Sequence, residues 1–372
     1  MRIGIEAHAI GMQQGGNERY VEGLLKGFSM VEPEDCKFVV FLNQNASIPS
    51  FLEGKKHFEF ERVSISPIKR LVYDLPVKIK KAKIDLIHTQ YHLPFFTDIP
   101  SIITLHDVSY LTHPECFPVK ERLKMKIFIP RSIKIARKII TVSQFSKNEI
   151  LTYYKNAEKK ICVIYNGISE KFTPSDDGYI KGILTKFKIR QPYILTVSNL
   201  QPRKNLAGLV KSFLRILKED RNFPCDLVIT GKKLWLYDEI FSEVRKSQFS
   251  ERIIISGYLN DEELVALYSG AEMFVYVSFY EGFGFPPLEA MACGCPVITS
   301  SISSLPEIAG DAALLVNPYN ENEIVSAIIR LHNDDEIKKQ LREKGFKQAK
   351  KFSWKQCAIE TLQLYRNVGS LL

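Results

Sequence analysis

The sequence predicts an α/β protein of two domains, each a parallel sheet covered by helices. Three observations lead there. The chain has 372 residues, enough for two domains of ordinary size. Short β-rich runs alternate with longer helical stretches, which implies βαβ units and parallel sheets. The alternation then restarts: one series ends near residue 168 and a second opens at residue 193.

The first series offers strands at 2–10, 37–43, 57–65, 84–90, 101–107, 138–143 and 160–168. The second offers 193–199, 225–231, 252–259, 273–279, 296–301 and 312–318. Two such series suggest two Rossmann-like domains. Between them, 169–191 reads as a linker because it carries Pro174, Asp176, Asp177 and Gly178. The expected domains are 1–175 and 176–350, followed by a closing helix in 351–372. Trp354, Ile359, Leu362 and Tyr365 recur there at helical spacing. By its residues alone this helix packs equally well on either domain. From 120 to 138, cations interleave with Leu123, Met125, Ile127 and Phe128. Pro130 is expected to split that stretch into two helices. Their bland role is packing on a sheet; the other is contact with an anionic bilayer.

Composition is that of a globular protein, 45% hydrophobic and 25% charged. No apolar run approaches a membrane span, and the N-terminus reads as a strand, so a cytoplasmic location is expected. The seven cysteines are scattered and read as reduced structural thiols. Cys293 and Cys295 sit too tightly for a zinc site, and no metal cluster is expected. The net charge is +9. Residues 1–185 hold 27 Lys+Arg against 20 Asp+Glu, and the rest hold 24 against 22. The basic first half would suit nucleic acid, an anionic membrane or a phosphorylated acceptor. No nucleic-acid motif accompanies it.

The densest information lies in Ser278–Ser300. Glu281 and Glu289 stand with seven residues between them, around Gly282, Phe283, Gly284 and Phe285. A buried strand precedes this loop and a helix follows it. Ligands bind at that place in open α/β sheets. The glycines let backbone N–H groups approach a ligand, and the helix start favours an anion. A second loop of the same kind carries Arg203, Lys204 and Asn205 after the strand at 193. Arg binds phosphate oxygens bidentately and Lys acts as a point charge, so the pair suits a diphosphate. Gly15 and Gly16 open the first helix and offer N–H groups to a phosphate, without the G-x-G-x-x-G dinucleotide pattern. His106 ends a strand and points toward the ligand edge of the first sheet, with Asp107 orienting it or capping the next turn. His88, His92 and His113 read as structural. Ser143 reads as a helix cap, and Asn166-Gly167 as a turn with positive φ. Gly231-Lys232-Lys233 and Gly257-Tyr258-Leu259 read alone as ordinary turns.

Taken together, Gly15-Gly16, the segment around His106, PRKN at 202–205 and the Glu281/Glu289 pair resemble family 4 retaining glycosyltransferases, in the family's order along nearly the whole chain. Ser198 stands where many members have Gly. The resemblance implies a GT-B fold, two domains facing across a cleft. It implies transfer of a hexosyl group from a nucleotide-diphosphate sugar to a saccharide or glycolipid hydroxyl, with retention and without a metal or cofactor. By the same resemblance, Arg203 and Lys204 hold the diphosphate, and Glu281 with the amides of 282–285 holds the sugar. Glu289 takes the ribose, the backbone near Leu259 reads the base, and Gly15-Gly16 face the diphosphate. His106 contacts the sugar or steadies developing positive charge. Family members that look most similar are mannosyltransferases of surface polysaccharides, which favours GDP-mannose over a UDP-sugar. An epimerase on the same fold and a non-catalytic sugar-nucleotide binder are the alternatives.

Overall fold

In the computed structural model, residues 1–13, 15–232 and 244–370 are described. Lys233, named above with Lys232, lies outside them, as does Gln14. The chain divides into two compact units. The first is Met1–Gly167 with Phe352–Leu372, and the second is Ile168–Lys351.

All strands of the first unit join one parallel sheet. They are β1 (Arg2–Ala7), β2 (Lys37–Asn43), β3 (Phe58–Val63), β4 (Leu86–Gln90), β5 (Ser101–Thr104), β6 (Lys138–Thr141) and β7 (Ile161–Val163). Their order is β3-β2-β1-β4-β5-β6-β7, with register pairs such as Ile3↔Phe38 and Ile5↔His88. The second unit repeats the plan with β8 (Tyr193–Val197), β9 (Asp226–Thr230), β10 (Ile253–Gly257), β11 (Met273–Tyr276), β12 (Val297–Ser300) and β13 (Ala313–Val316). Its order is β10-β9-β8-β11-β12-β13, again parallel. Each order reverses direction once, at β1/β4 and at β8/β11. The strands are near-continuous apolar runs because both faces of a parallel sheet are covered. Every expected strand forms, and all but β2 and β4 stop before their expected carboxyl ends.

The last helix, Trp354–Gly369, packs on the helix Gly16–Val31 of the first unit. A buried polar chain fixes it. His88 Nδ1 lies 2.6 Å from the Tyr365 hydroxyl, and His88 Nε2 lies 2.7 Å from Thr104 Oγ1. Tyr20 shares the same Thr104 oxygen at 2.6 Å. Burial pushes His88 down to about 3, so it is a neutral imidazole with one donor and one acceptor nitrogen.

Three local expectations need correction. The stretch expected as a linker contains the helix Asp177–Phe187, capped by Asp176. Neither Asn166 nor Gly167 has positive φ. Gly167 is needed for another reason: a Cβ there would lie 2.0 Å from the backbone N of Trp354. Finally, Val119–Ile135 is one helix that runs through Pro130. Proline forfeits one ladder bond, but Ile129 and Ile133 on either side are locked in the core.

Candidate donor site and the first-unit histidine

The second sheet reverses between β8 and β11, so the loops leaving their carboxyl ends are neighbours. The β8 loop makes the turn Pro202–Lys204 and enters the helix Leu206–Glu219. Asn205 adopts the left-handed conformation that Asn tolerates, and its Nδ2 donates to the Pro318 carbonyl at 2.8 Å. The β11 loop enters the helix Phe285–Ala292. Gly284 precedes that helix at φ 121, where a side chain would be strained and a Cβ would lie 2.8 Å from Leu305. A bond from Phe279 N–H to the Arg203 carbonyl (2.9 Å) joins the two loops.

Across that junction Arg203, Lys204 and Glu281 meet. Lys204 Nζ lies 2.5 Å from Glu281 Oε1, and Arg203 Nη1 lies 3.2 Å from Glu281 Oε2. Arg203 also donates to the Tyr280 carbonyl. Tyr276 donates to Glu281 Oε1 (2.9 Å) and accepts from Lys204 (2.8 Å). Ser304 Oγ holds the loop from behind, at 2.9 Å from the Glu281 carbonyl and 2.6 Å from that of Phe283. Burial alone would raise the Glu281 carboxyl. Lys204 and Arg203 outweigh it and hold it down at about 2. Two cations against one carboxylate leave the cluster with one net positive charge. With the helix start beside it, that charge attracts an anion.

Glu289 sits inside the helix, 2% exposed, and its Oε2 accepts from the Tyr268 hydroxyl at 3.0 Å. Phe283 and Phe285 meet edge to face at 5.1 Å. Leu259 is buried after β10, while the exposed Tyr258 ring lies under Lys232 Nζ at 5.5 Å.

In the first unit, Gly15 precedes the helix Gly16–Val31 without a side-chain cap. One turn in, Tyr20 meets the His106 ring edge-on at 4.8 Å. His106 lies just beyond β5, and its Nε2 is 2.7 Å from Gln90 Oε1 at the end of β4. Burial pushes His106 down to about 4, so it is neutral near pH 7. Asp107 caps, accepting from Ser109 N–H at 2.9 Å. Ser143 Oγ likewise accepts from Ser146 N–H at 3.0 Å. His92 is half-buried, and burial and then nearby Lys124 push it down to about 4. The seven cysteines form no disulfide with one another. Among the described residues no cluster suits a metal ion.

Sequence reasoning missed Tyr276, Ser304 and Gln90. Tyr276 looked like one more apolar strand residue, and Ser304 lies far along the chain from the loop it braces. Gln90 ends a strand with no motif around it. Its amide Nε2 is buried without a protein partner.

Two doubly wound units, with a cation pair and a carboxylate at the switch point of the second, define a GT-B glycosyltransferase. Comparison with known proteins agrees. The model of glycosyl transferases group 1 matches residues 185–348, and that of glycosyltransferase family 4 matches residues 15–172. The chain is 35% identical over 269 residues to O-antigen chain mannosyltransferase B of Escherichia coli, covering 72% of this chain and 70% of that one. It spans only 27% of the serotype-specific mannosyltransferase WbdA of Escherichia coli, at 29% identity. The sucrose-phosphate synthase of Thermosynechococcus elongatus superposes over 100% of both chains, with a TM-score of 0.80 at 21% identity. Anabaena HepE, solved with UDP and glucose, has a TM-score of 0.76 at 18% identity, covering 99% of this chain and 100% of its own. The chain belongs to the group 1, family 4 glycosyltransferases.

Proposed function

We propose that this glycosyltransferase moves a mannosyl group from GDP-mannose to a hydroxyl of a growing surface polysaccharide, with retention at the anomeric carbon. The observation that carries this reading is the Arg203–Glu281–Lys204 cluster at the switch point. In it, Arg203 and Lys204 neutralise the diphosphate as the glycosidic bond breaks. The fixed Glu281 carboxylate accepts hydrogen bonds from sugar hydroxyls, and the N–H groups of the Gly284 turn support the phosphate. Glu289 takes the ribose, and the backbone at Leu259 takes the base. His106, held neutral, accepts or donates a hydrogen bond to a hydroxyl. Mannose is favoured by the relatives named as O-antigen mannosyltransferases. The acceptor is read as a lipid-linked saccharide, which brings the chain to an anionic membrane face.

A UDP-hexose is the second reading, favoured by HepE having been solved with UDP and glucose. The test pairs a thermal-shift comparison of GDP and UDP with a transfer assay from each sugar nucleotide. Stabilisation by GDP and acceptor-dependent GDP release support the first reading. Stabilisation and turnover with UDP alone replace it with the second.

A further inference from the structure

The helix Val119–Ile135 has two apolar faces. Met125, Ile129 and Ile133 face the core. Val119, Leu123 and Ile127, four residues apart, form a second stripe that is exposed, Leu123 and Ile127 at 57% each. A helix on a soluble surface needs only the first. The helical stretch 67–81 repeats this design. Leu71, Leu75 and Ile79 face inward, while Ile68, Val72 and Val77 face out beside Tyr73, with Ile68 at 76% exposure.

The Phe95–Phe96 loop joins the two. Phe95 N–H donates to the Leu71 carbonyl at 2.8 Å. Its ring meets Phe128 edge-on at 5.9 Å, under the Arg131 guanidinium at 3.9 Å. Phe96 then stands 81% exposed at φ 57, a left-handed conformation that is costly for a bulky residue. Stretch 67–81 carries five cations against Asp74, and 119–135 carries six against Glu121. Lys69, Lys80, Lys81, Lys120, Lys126 and Lys134 are all exposed.

We propose that stretch 67–81, Phe96 and the outer face of Val119–Ile135 form one docking surface for an anionic lipid bilayer. Apolar side chains enter the acyl boundary, Tyr73 lies at headgroup depth, and the lysines meet anionic headgroups. Charge selects this occupant over a second copy of the chain, because self-pairing would set these lysines against each other. No helix among the described residues is long and apolar enough to cross a membrane. The surface therefore lies on the bilayer. The proposal rests on the lipid-linked acceptor reading for its purpose and not for its geometry.

The test is co-sedimentation of the full chain with vesicles of phosphatidylcholine alone or mixed with phosphatidylglycerol. Binding is expected only to the mixture and should weaken with salt. Combining L123D with I127D should lower partitioning by about tenfold or more. Each of K120E and K126E should lower it by about fivefold. In F96W, the indole emission should shift to the blue on adding the mixed vesicles. Transfer to a soluble saccharide should persist in these variants, which shows that they fold; if L123D/I127D misfolds, the lysine variants and F96W decide. The proposal is overturned by three results: no binding of the wild type to the mixture, unchanged binding of the variants, or a wild-type dimer that L123D makes monomeric. Vesicle binding without GDP-mannose turnover would sink the donor reading and leave this surface standing.

Discussion

The two units share a strand plan and use it in opposite ways. At the switch point of the second, opposite charges meet, and Glu281 is held ionised between Lys204 and Arg203. The first unit holds three histidines neutral, with His88, His92 and His106 all pushed down by burial, beside one buried ion pair of Arg70 with Glu6. Outside, the contrast reverses. The first unit aligns Val119, Leu123 and Ile127 in an exposed apolar stripe, while the second exposes side chains such as Tyr179 and Ile329. One topology thus carries a charged cluster at the switch point of one unit and a set of neutral histidines in the other. The fold places loop ends; the residues set there decide what they bind.

The largest break in this comparison should come from the charged cluster. Arg203→Ala should lower turnover by roughly 10²–10³-fold, the usual scale for removing one electrostatic donor. Glu281→Ala should lower both turnover and stability, because two half-buried cations are left facing each other. Steady-state kinetics and thermal melts read the two effects separately. Next comes Gly27→Ala in the first unit. A Cβ there would lie 2.2 Å from the Trp354 carbonyl, so overpacking should cost about 1–3 kcal/mol and loosen the last helix. Chemical unfolding followed by circular dichroism checks it, with nucleotide affinity unchanged.

Acid should separate the units more gently. The three histidines have folded-state values below their unfolded one. The unfolded chain therefore binds more protons in that range, and first-unit stability falls as pH drops from about 6.5 toward about 4. Glu281 is held at about 2, so its contribution is lost only as pH falls below the ordinary carboxylate range. Unfolding curves at stepped pH should show the first unit failing first. The smallest effect is expected from Gln90→Glu. A carboxylate beside His106 favours the imidazolium, so its titration by NMR should move up from about 4.

Much of this was legible beforehand. Both strand series and the loops carrying Arg203, Lys204 and Glu281 could be read, because parallel strands and glycine-rich turns leave strong local signals. Tyr276 was not legible, since an aromatic residue in a buried strand looks the same whether or not its hydroxyl has work. Ser304 and Gln90 act through contacts distant in sequence. The helix through Pro130 ran against a local rule, and tertiary packing of Ile129 and Ile133 prevailed. Gly167 looked like a turn residue when its role is to admit the backbone of Trp354.

Arg203 and Lys204, braced by Glu281, are proposed to hold the diphosphate. Calorimetric titration of GDP into the wild type, Arg203→Ala and Lys204→Ala tests it most directly. Each loss of a charged hydrogen bond should weaken binding by about 1.5–3 kcal/mol, roughly ten- to a hundredfold. Unchanged affinity in both variants, with the wild type binding GDP, would contradict it.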